Sequence, residues 1–379
     1  MTDTETAPPP PRFANLTVGD PAPWFTAPAS VNPHFVFDTA AGRAIVLCFF
    51  LSAADPVVRE TLAALHHDNG RLDDERACLF GVTIDRRDEG KLPERLPGIR
   101  HFFDFDRAVS RRYGAVADED ASEASVRVRR LWIVLDPQMR LVATLPFAGP
   151  GDVEQVFAIL DGLPPAGRWG ETDLPTPVIL VPNVFEPELC RELIRRYEAA
   201  GGSDSGFMRD VDGKTTLIVD HSAKRRSDHH IEDPPFRQVL AGRIARRLAP
   251  MVQRAFQFKA TRIERYLVCC YEAATSDHFR AHRDNTTAGT AHRRFAVTIN
   301  LNAGEYEGGD LRFPEFGPRR WRAPTGGAIV FSCSLLHEVD PVRRGRRFAF
   351  LPFLYDEEAA KQREQNNAFL GEGVAPYKA

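Results

Sequence analysis

The chain has 379 residues, which at roughly 150 residues per domain excludes a single small module and suggests two or three domains. Its 49 basic and 52 acidic side chains leave a formal charge of −3, with 43% hydrophobic and 27% charged residues. That is ordinary globular composition, with no electrostatic case for nucleic acid or a membrane surface as partner. Six scattered cysteines without a CxxC pair exclude a disulfide scaffold and a dithiol centre, and read as reduced, packed thiols.

Residues 1–17 are proline-rich and polar, the composition of a flexible arm, and Met1 to Pro11 has neither the basic nor the apolar segment of a signal peptide. No run of about 18 apolar residues follows, so the expectation is a cytoplasmic protein without a membrane span. The run AIVLCFF, Ala44 to Phe50, predicts a buried strand, and Val57 to Asn69 a helix stopped by Gly70. Cys78 to Ile84 predicts a second buried strand, Arg107 to Tyr113 a short helix, and Leu131–Leu135 with Leu141–Leu145 a hairpin across DPQMR. Asp152 to Leu163 reads as a closing helix. This order predicts a three-layer α/β unit of thioredoxin-like type over residues 18–165.

Residues 166–177 lie in a Pro- and Gly-rich stretch between two patterned regions and are taken as a linker. Beyond it come VILV (Val178 to Val181), a helix carrying Leu189, Leu193 and Tyr197, and a second helix over Phe236 to Phe256 with an apolar stripe at every fourth residue. From Arg262 to Tyr355 the pattern is strands separated by Gly-rich turns. The second domain is bounded at 178–356, followed by a tail, 357–379.

The chemistry concentrates in His282-Arg283-Asp284 and in His337, 53 residues after the aspartate. Residues i and i+2 of a strand face the same side, so His282 and Asp284 can share one ion with a histidine from a later strand. Two imidazoles and a carboxylate leave open coordination positions, the arrangement of an oxygen-activating ferrous site. On the residues alone, a surface histidine beside an aspartate explains the triplet as well. The surrounding segments are CYEAATSDHFRAHRDN, FAVTINLN, EYEGGDLRFP and APTGGAIVFSCSLLHEVDPVRRGRRFAF. In this order they resemble the prolyl-hydroxylase-like family of 2-oxoglutarate- and Fe(II)-dependent oxygenases.

The resemblance is clearest from Ile263 to Tyr355. It implies a double-stranded β-helix, or jelly roll, braced by helices, with His282, Asp284 and His337 as iron ligands. It also implies Fe(II), with 2-oxoglutarate and O2 as co-substrates and ascorbate as a candidate reductant. Arg347, ten residues after the last histidine, is the cation that the resemblance implies for the distal carboxylate of 2-oxoglutarate, because the family pattern Gly-x-Arg-x-Ala falls on Gly345, Arg347 and Ala349; strand alternation lets only one of Arg346 and Arg347 face inward. Tyr271 matches a tyrosine that contacts the co-substrate in relatives, with a packed core tyrosine as its alternative. Thr298 and Asn300 share a strand face and are candidates for the same pocket, Asn300 standing where some relatives have tyrosine. Gly308 and Gly309 read as a turn. His221, His229 and His230 lie in a stretch read as a polar loop over the site, in which Arg225 and Asp228 are candidate substrate contacts.

In the first domain GDPAPWF, AIVLCFFLSAADP and LWIVLDPQMRLV resemble the peroxiredoxin branch of the thioredoxin-like fold. That family needs a thiolate at the start of the first long helix. Its Pro, Thr and Cys positions fall here on Leu51, Asp55 and Val58, and only Arg130 matches, so no catalytic cysteine is expected. The reading is a hydroxylase of a peptide, protein, amino acid or other small molecule, with a redoxin-like domain that binds a partner or forms a homodimer. The alternatives are a partner-binding protein with a vestigial oxygenase site, and a thiol peroxidase.

Overall fold

In the computed structural model, which describes residues 12–67, 70–118, 126–371 and 374–377, the chain divides into two units. One comprises Met1–Leu174 with Pro314–Gly317, the other Pro175–Phe313 with Pro318–Ala379.

At the centre of the first unit lies β3, Ala44–Leu51, every residue of it buried. Such a strand needs cover on both faces, and it pairs in parallel with β4 (Ala77–Thr83) on one side and antiparallel with β6 (Leu131–Leu135) on the other. Helix α1, Pro56–His66, starts on the Asp55 cap, whose carboxylate accepts Val57 N–H at 2.9 Å, and its Val58, Leu62 and Leu65 face the core. Three strands escaped the sequence reading: β1 (Thr26–Ala29), β2 (Asn32–Val36) and β5 (Ile99–Phe103). With β7 (Leu141–Pro146) they complete a seven-stranded sheet in the order β2-β1-β5-β4-β3-β6-β7.

The expected flexible arm is corrected in part. Residues 1–11 lie outside the described residues, but Arg12 to Thr17 pack on the unit: Arg129 sits 3.9 Å over the Phe13 ring, and the Arg12 carbonyl accepts Asp118 N–H at 2.9 Å. The linker stretch holds a small hairpin, Arg168–Trp169 against Thr172–Asp173.

The second unit is built on two antiparallel sheets. The larger runs Val178–Val181, Ala328–Ser332, Phe295–Asn300, Arg346–Phe350, Leu267–Glu272, Ser227–His230 and Ser203–Asp204, with Arg262–Glu264 and Phe353–Tyr355 attached. The smaller runs Lys224–Arg225, His278–His282, His337–Val339, Leu311–Arg312 and Arg320–Trp321. Alternation assigns the faces of the larger sheet. Val268, Cys270, Val297, Ile299, Phe348 and Phe350 enter one core with Leu193, Leu240, Ile244, Leu248 and Val252 of the bracing helices. Tyr271, Thr298, Asn300 and Arg347 therefore point to the opposite face, and all four are buried.

Three expectations change here. The Phe236–Phe256 helix is α-helical over Pro234–Arg243 and Ala249–Phe256, with a π-helical turn, Ile244–Leu248, between. Pro250 has no N–H to give the preceding turn, and the wider turn accommodates it. The loop expected around His221–His230 contains two strands that close both sheets, Lys224–Arg225 on His278–Phe279 and Ser227–His230 on Leu267–Cys270. The tail begins as a helix, Glu357–Gln365, capped by Asp356 and packed through Ala359 and Ala360.

Candidate active site

The smaller sheet brings the two histidines together directly: the His278–His282 strand pairs with His337–Val339, and His282 and His337 are register partners. A bulge between Phe279 and His282 turns the strand end, and Asp284 follows it, its N–H bonded to Cys333 O at 2.9 Å. The His282 Nε2, a carboxylate oxygen of Asp284 and the His337 Nε2 lie within 4.8 Å of one another, and they are the one cluster of metal-ligating groups among the described residues. Asp284 divides its oxygens, Oδ1 3.6 Å from His282 Nε2 and Oδ2 3.4 Å from His337 Nε2.

Both imidazoles are oriented by the backbone. His282 Nδ1 donates to Arg280 O at 2.8 Å and His337 Nδ1 to Leu335 O at 3.0 Å, so each Nε2 lone pair is left for an ion. Burial, reinforced by the neighbouring His282, pushes His337 down to about 4, which keeps it a neutral ligand. Burial alone would raise Asp284, but the two imidazoles and Arg293 hold it well below the usual carboxylate range. Phe279 stacks on His282 at 3.5 Å between centroids and Phe331 lies edge-on to His337 at 4.6 Å, an apolar wall around the donors. Two nitrogens and a carboxylate oxygen presented this way fit a ferrous ion with open positions.

Behind Asp284 lies a buried ion-pair network. Arg293 Nη1 donates to Asp284 O at 3.3 Å, while Glu264 accepts from Arg293 Nε and Nη2 at 3.0 and 2.7 Å and pairs with His292 Nε2 at 2.8 Å. Sequence reasoning missed this support, since Glu264 and Arg293 are 29 residues apart.

On the inner face of the larger sheet, Tyr271 and Arg347 are register partners, with the guanidinium carbon 5.1 Å from the Tyr271 ring centroid. Arg347 is 2% exposed, and its Nε and Nη1 have no hydrogen-bond partner. Burial opposes its charge, but Tyr306, Cys269 and Tyr271 more than offset this. Arg346 turns outward to Glu198 at 3.1 Å and Glu272 at 3.2 Å, as alternation requires. A buried guanidinium with free donors suits a carboxylate, so the residues also fit 2-oxoglutarate. Asn300 Nδ2 donates to Ala323 O at 2.7 Å and Thr298 is buried beside it in the strand.

The two candidate substrate residues part company. Arg225 is half-buried, with Asp277 at 3.9 Å. Asp228 is buried and engaged by Arg226 at 2.7 Å and by Ser205, so its carboxylate is a partner of the protein's own cation, which corrects its expected exposure. Lys224, also buried, donates to Ser205 Oγ at 2.7 Å, and burial drives its ammonium well below the ordinary lysine range. Arg226 further reaches Tyr271 Oη at 3.4 Å.

In the first unit the helix start holds no thiol. Val58 is fully buried, and Asp55, besides capping α1, pairs with Arg130 at 2.7 Å, so the one matching side chain of the peroxiredoxin pattern is engaged by a carboxylate. All six cysteines are buried. Burial pushes Cys78 up to about 12 and Cys48 well above its ordinary value.

Two stretches of the chain match models of known families. Residues 266–355 match the 2OG-Fe(II) oxygenase superfamily, and residues 18–144 match the AhpC/TSA family. A PKHD-type hydroxylase of Bordetella pertussis is 29% identical over 208 residues, covering 52% of this chain and 86% of its own. A Pseudomonas putida prolyl-4-hydroxylase structure covers 48% of this chain and 92% of its own at 19% identity, TM-score 0.36. The peroxiredoxin 6 structure of Arenicola marina covers 39% of this chain and 73% of its own at 16% identity, TM-score 0.32. Two separate stretches of the chain thus match a 2OG-Fe(II) oxygenase model and an AhpC/TSA model, and the first match implies Fe(II), 2-oxoglutarate and O2 as cofactor and co-substrates. Among the described residues no helix is long and apolar enough to cross a membrane.

Proposed function

We propose that the protein is a 2-oxoglutarate-dependent hydroxylase of a peptide, protein or amino-acid substrate, of prolyl-hydroxylase-like type. The observation that carries this reading is the convergence of His282, Asp284 and His337 within 4.8 Å, together with a buried Arg347 whose donors are unpaired. His282 and His337 would hold Fe(II) through their ring nitrogens and Asp284 through its carboxylate. When bound, the ion supplies oxygen activation, coupled to conversion of 2-oxoglutarate to succinate and hydroxylation of the substrate. The protein's own part is positional. Backbone carbonyls fix both imidazoles, Arg347, its guanidinium over the Tyr271 ring, would take the distal carboxylate, and Thr298 and Asn300 line the same face. Phe279 and Phe331 exclude water beside the ligands.

Arg225, half-buried and loosely paired, is the substrate contact on this reading, with Asp228 acting through Arg226. The first unit serves as a binding module for a partner, a second copy or the substrate, and six buried thiols suit a reducing cytoplasm.

The test is succinate release from 2-oxoglutarate with Fe(II), with and without O2, in the wild type, His282→Ala and Arg347→Ala. Oxygen-dependent turnover that is lost in the His282 variant, and that needs far more 2-oxoglutarate in the Arg347 variant, is the expected result. Failure of the wild type to bind either Fe(II) or 2-oxoglutarate refutes it and leaves a vestigial site.

A further inference from the structure

One buried hydroxyl away from the three ligands ties distant segments of the chain to them. Phe207–Val211 and Lys214–Ile218 form a two-stranded hairpin in which Thr215 is the one buried strand residue. A buried threonine needs partners for its polar atoms. Thr215 Oγ1 donates to the Asp210 carboxylate and accepts Gly289 N–H at 2.9 Å, while its carbonyl accepts Gly371 N–H at 2.8 Å. One residue thus joins the hairpin, the loop after Asp284 and the C-terminal segment.

The junction is close-packed. A Cβ built on Gly289 would stand 2.9 Å from both Thr215 Cγ2 and Leu370 Cδ2, and one on Gly371 would collide with Thr216 Cγ2. Neither glycine has a positive φ, so close approach is what the missing side chain serves. Around this point Lys214 Nζ donates to Ala368 O at 2.6 Å and Asn366 Nδ2 to Ala288 O at 2.7 Å. The loop so held leads back to the ligand. Asp210 accepts Ala288 N–H at 3.2 Å, and the Thr287 and Thr290 hydroxyls close the turn at 2.8 Å. Thr290 O then accepts Arg293 N–H at 3.0 Å, and Arg293 Nη1 braces Asp284 O at 3.3 Å.

We infer that Thr215 is a positioning residue for the metal ligand Asp284, and that Asn366–Gly371 of the C-terminal segment is the strap that keeps it in place. This rests on the proposed function. The hydroxyl acts through the Thr287–Thr290 turn and Arg293, and touches neither metal nor substrate. Metal retention is thereby coupled to the docking of the C-terminal segment, and whatever lifts that segment loosens the ion.

The experiment is calorimetric Mn(II) binding to the full-length protein, with amide hydrogen exchange over residues 285–293 as a second readout, in the wild type, Thr215→Val, Thr215→Ser and Gly371→Ala. Losing a group that holds a metal ligand directly costs about 10–100-fold in affinity, and Thr215 acts one link further out, so Thr215→Val is expected to weaken Mn(II) about fivefold. Exchange in the turn should quicken with it. Thr215→Ser keeps the hydroxyl and stays within about twofold of the wild type, whereas Gly371→Ala, which forces the strap off Thr216, follows Thr215→Val. If Thr215→Val melts earlier yet binds Mn(II) as the wild type does, Thr215 supports the hairpin alone and the assignment falls. Equal losses in Thr215→Val and Thr215→Ser also overturn it, since the hydroxyl is then not the cause. Unchanged binding and exchange in Gly371→Ala overturn the strap. A wild type that binds no Mn(II) strikes the proposed function itself, and this inference with it.

Discussion

Replacing Gly309 by alanine tests whether the space beside Arg347 is functional. Gly309 has φ +66°, so any Cβ there meets left-handed strain, and the methyl would stand 2.9 Å from both Arg347 Cδ and Val342 Cγ2, closer than real Cβ contacts come. Gly304 is the control: its φ is +94°, yet a Cβ there meets nothing within 4 Å. Backbone strain of about 1–3 kcal/mol is expected in both variants. Overpacking adds a further 1–3 kcal/mol, roughly, in Gly309→Ala alone. At about 2–4 °C per kcal/mol for a domain of this size, both melt earlier, Gly309→Ala by more. The decisive difference lies in the co-substrate. A displaced guanidinium loses its paired geometry, so Gly309→Ala should raise the KM for 2-oxoglutarate about tenfold or more, while Gly304→Ala leaves it within about twofold. Equal KM values in the two variants, measured below both melting temperatures by succinate formation, would refute the placement of Arg347 in co-substrate binding.

Arg346→Ala removes an exposed ion pair with Glu198 and Glu272, so stability should fall by no more than about 1 kcal/mol and the KM for 2-oxoglutarate should not move; a large KM rise would assign the carboxylate to the wrong arginine. Asp228→Asn leaves the buried Arg226 cation without its counter-charge and should cost about 3–5 kcal/mol in chemical denaturation. Asp228 also predicts an acid limb. Burial opposes its charge, but Arg226 and Lys224 bring the folded value to about 2, below the ordinary 3.8. A depressed folded carboxylate contributes stability above its unfolded pKa, and that contribution fades as pH falls from about 4 towards 2. Asp228→Asn should flatten this limb, and an unchanged acid profile would count against the ion pair. All six cysteines should resist a thiol reagent in the native protein and react in denaturant, with no peroxide consumed; one rapidly labelled thiol coupled to peroxide turnover would restore the peroxidase alternative.

The elements most legible in sequence are those whose signal is local. AIVLCFF read as a fully buried strand, and the helical stretch from Val57 announced α1, although its Asp55 cap and Pro56 start were seen only in the structure. His282, Asp284 and Arg347 were legible mainly through the family resemblance of the segments around them: strand periodicity let His282 and Asp284 share one ion without requiring it, and alternation let only one of Arg346 and Arg347 face inward without saying which. The Thr26–Ala29 and Asn32–Val36 hairpin was not legible, because four of its nine strand residues are exposed and each strand carries a proline, Pro28 and Pro33. Nor were the Lys224–Arg225 and Ser227–His230 strands. Their charged residues read as solvated, yet Lys224, Arg226 and Asp228 are buried because they satisfy one another and Ser205. Composition reports the cost of burying each charge singly, and only the fold reveals the partner that offsets it.

That distinction separates the two units chemically. In the first, Arg130 was legible as the remnant of a thiol site, but a carboxylate, Asp55, holds it at 2.7 Å while also capping α1, so the cation stabilises the helix start and no thiolate stands beside it. In the second, Arg347 is the reverse case: buried, charged and without a protein carboxylate on its Nε or Nη1. A folded chain keeps such a group only where what it binds in use is worth more than the stability a closed ion pair would add. Arg347, with its Nε and Nη1 unpartnered beside Gly309, is therefore better explained by an anion from outside the chain than by any packing requirement within it.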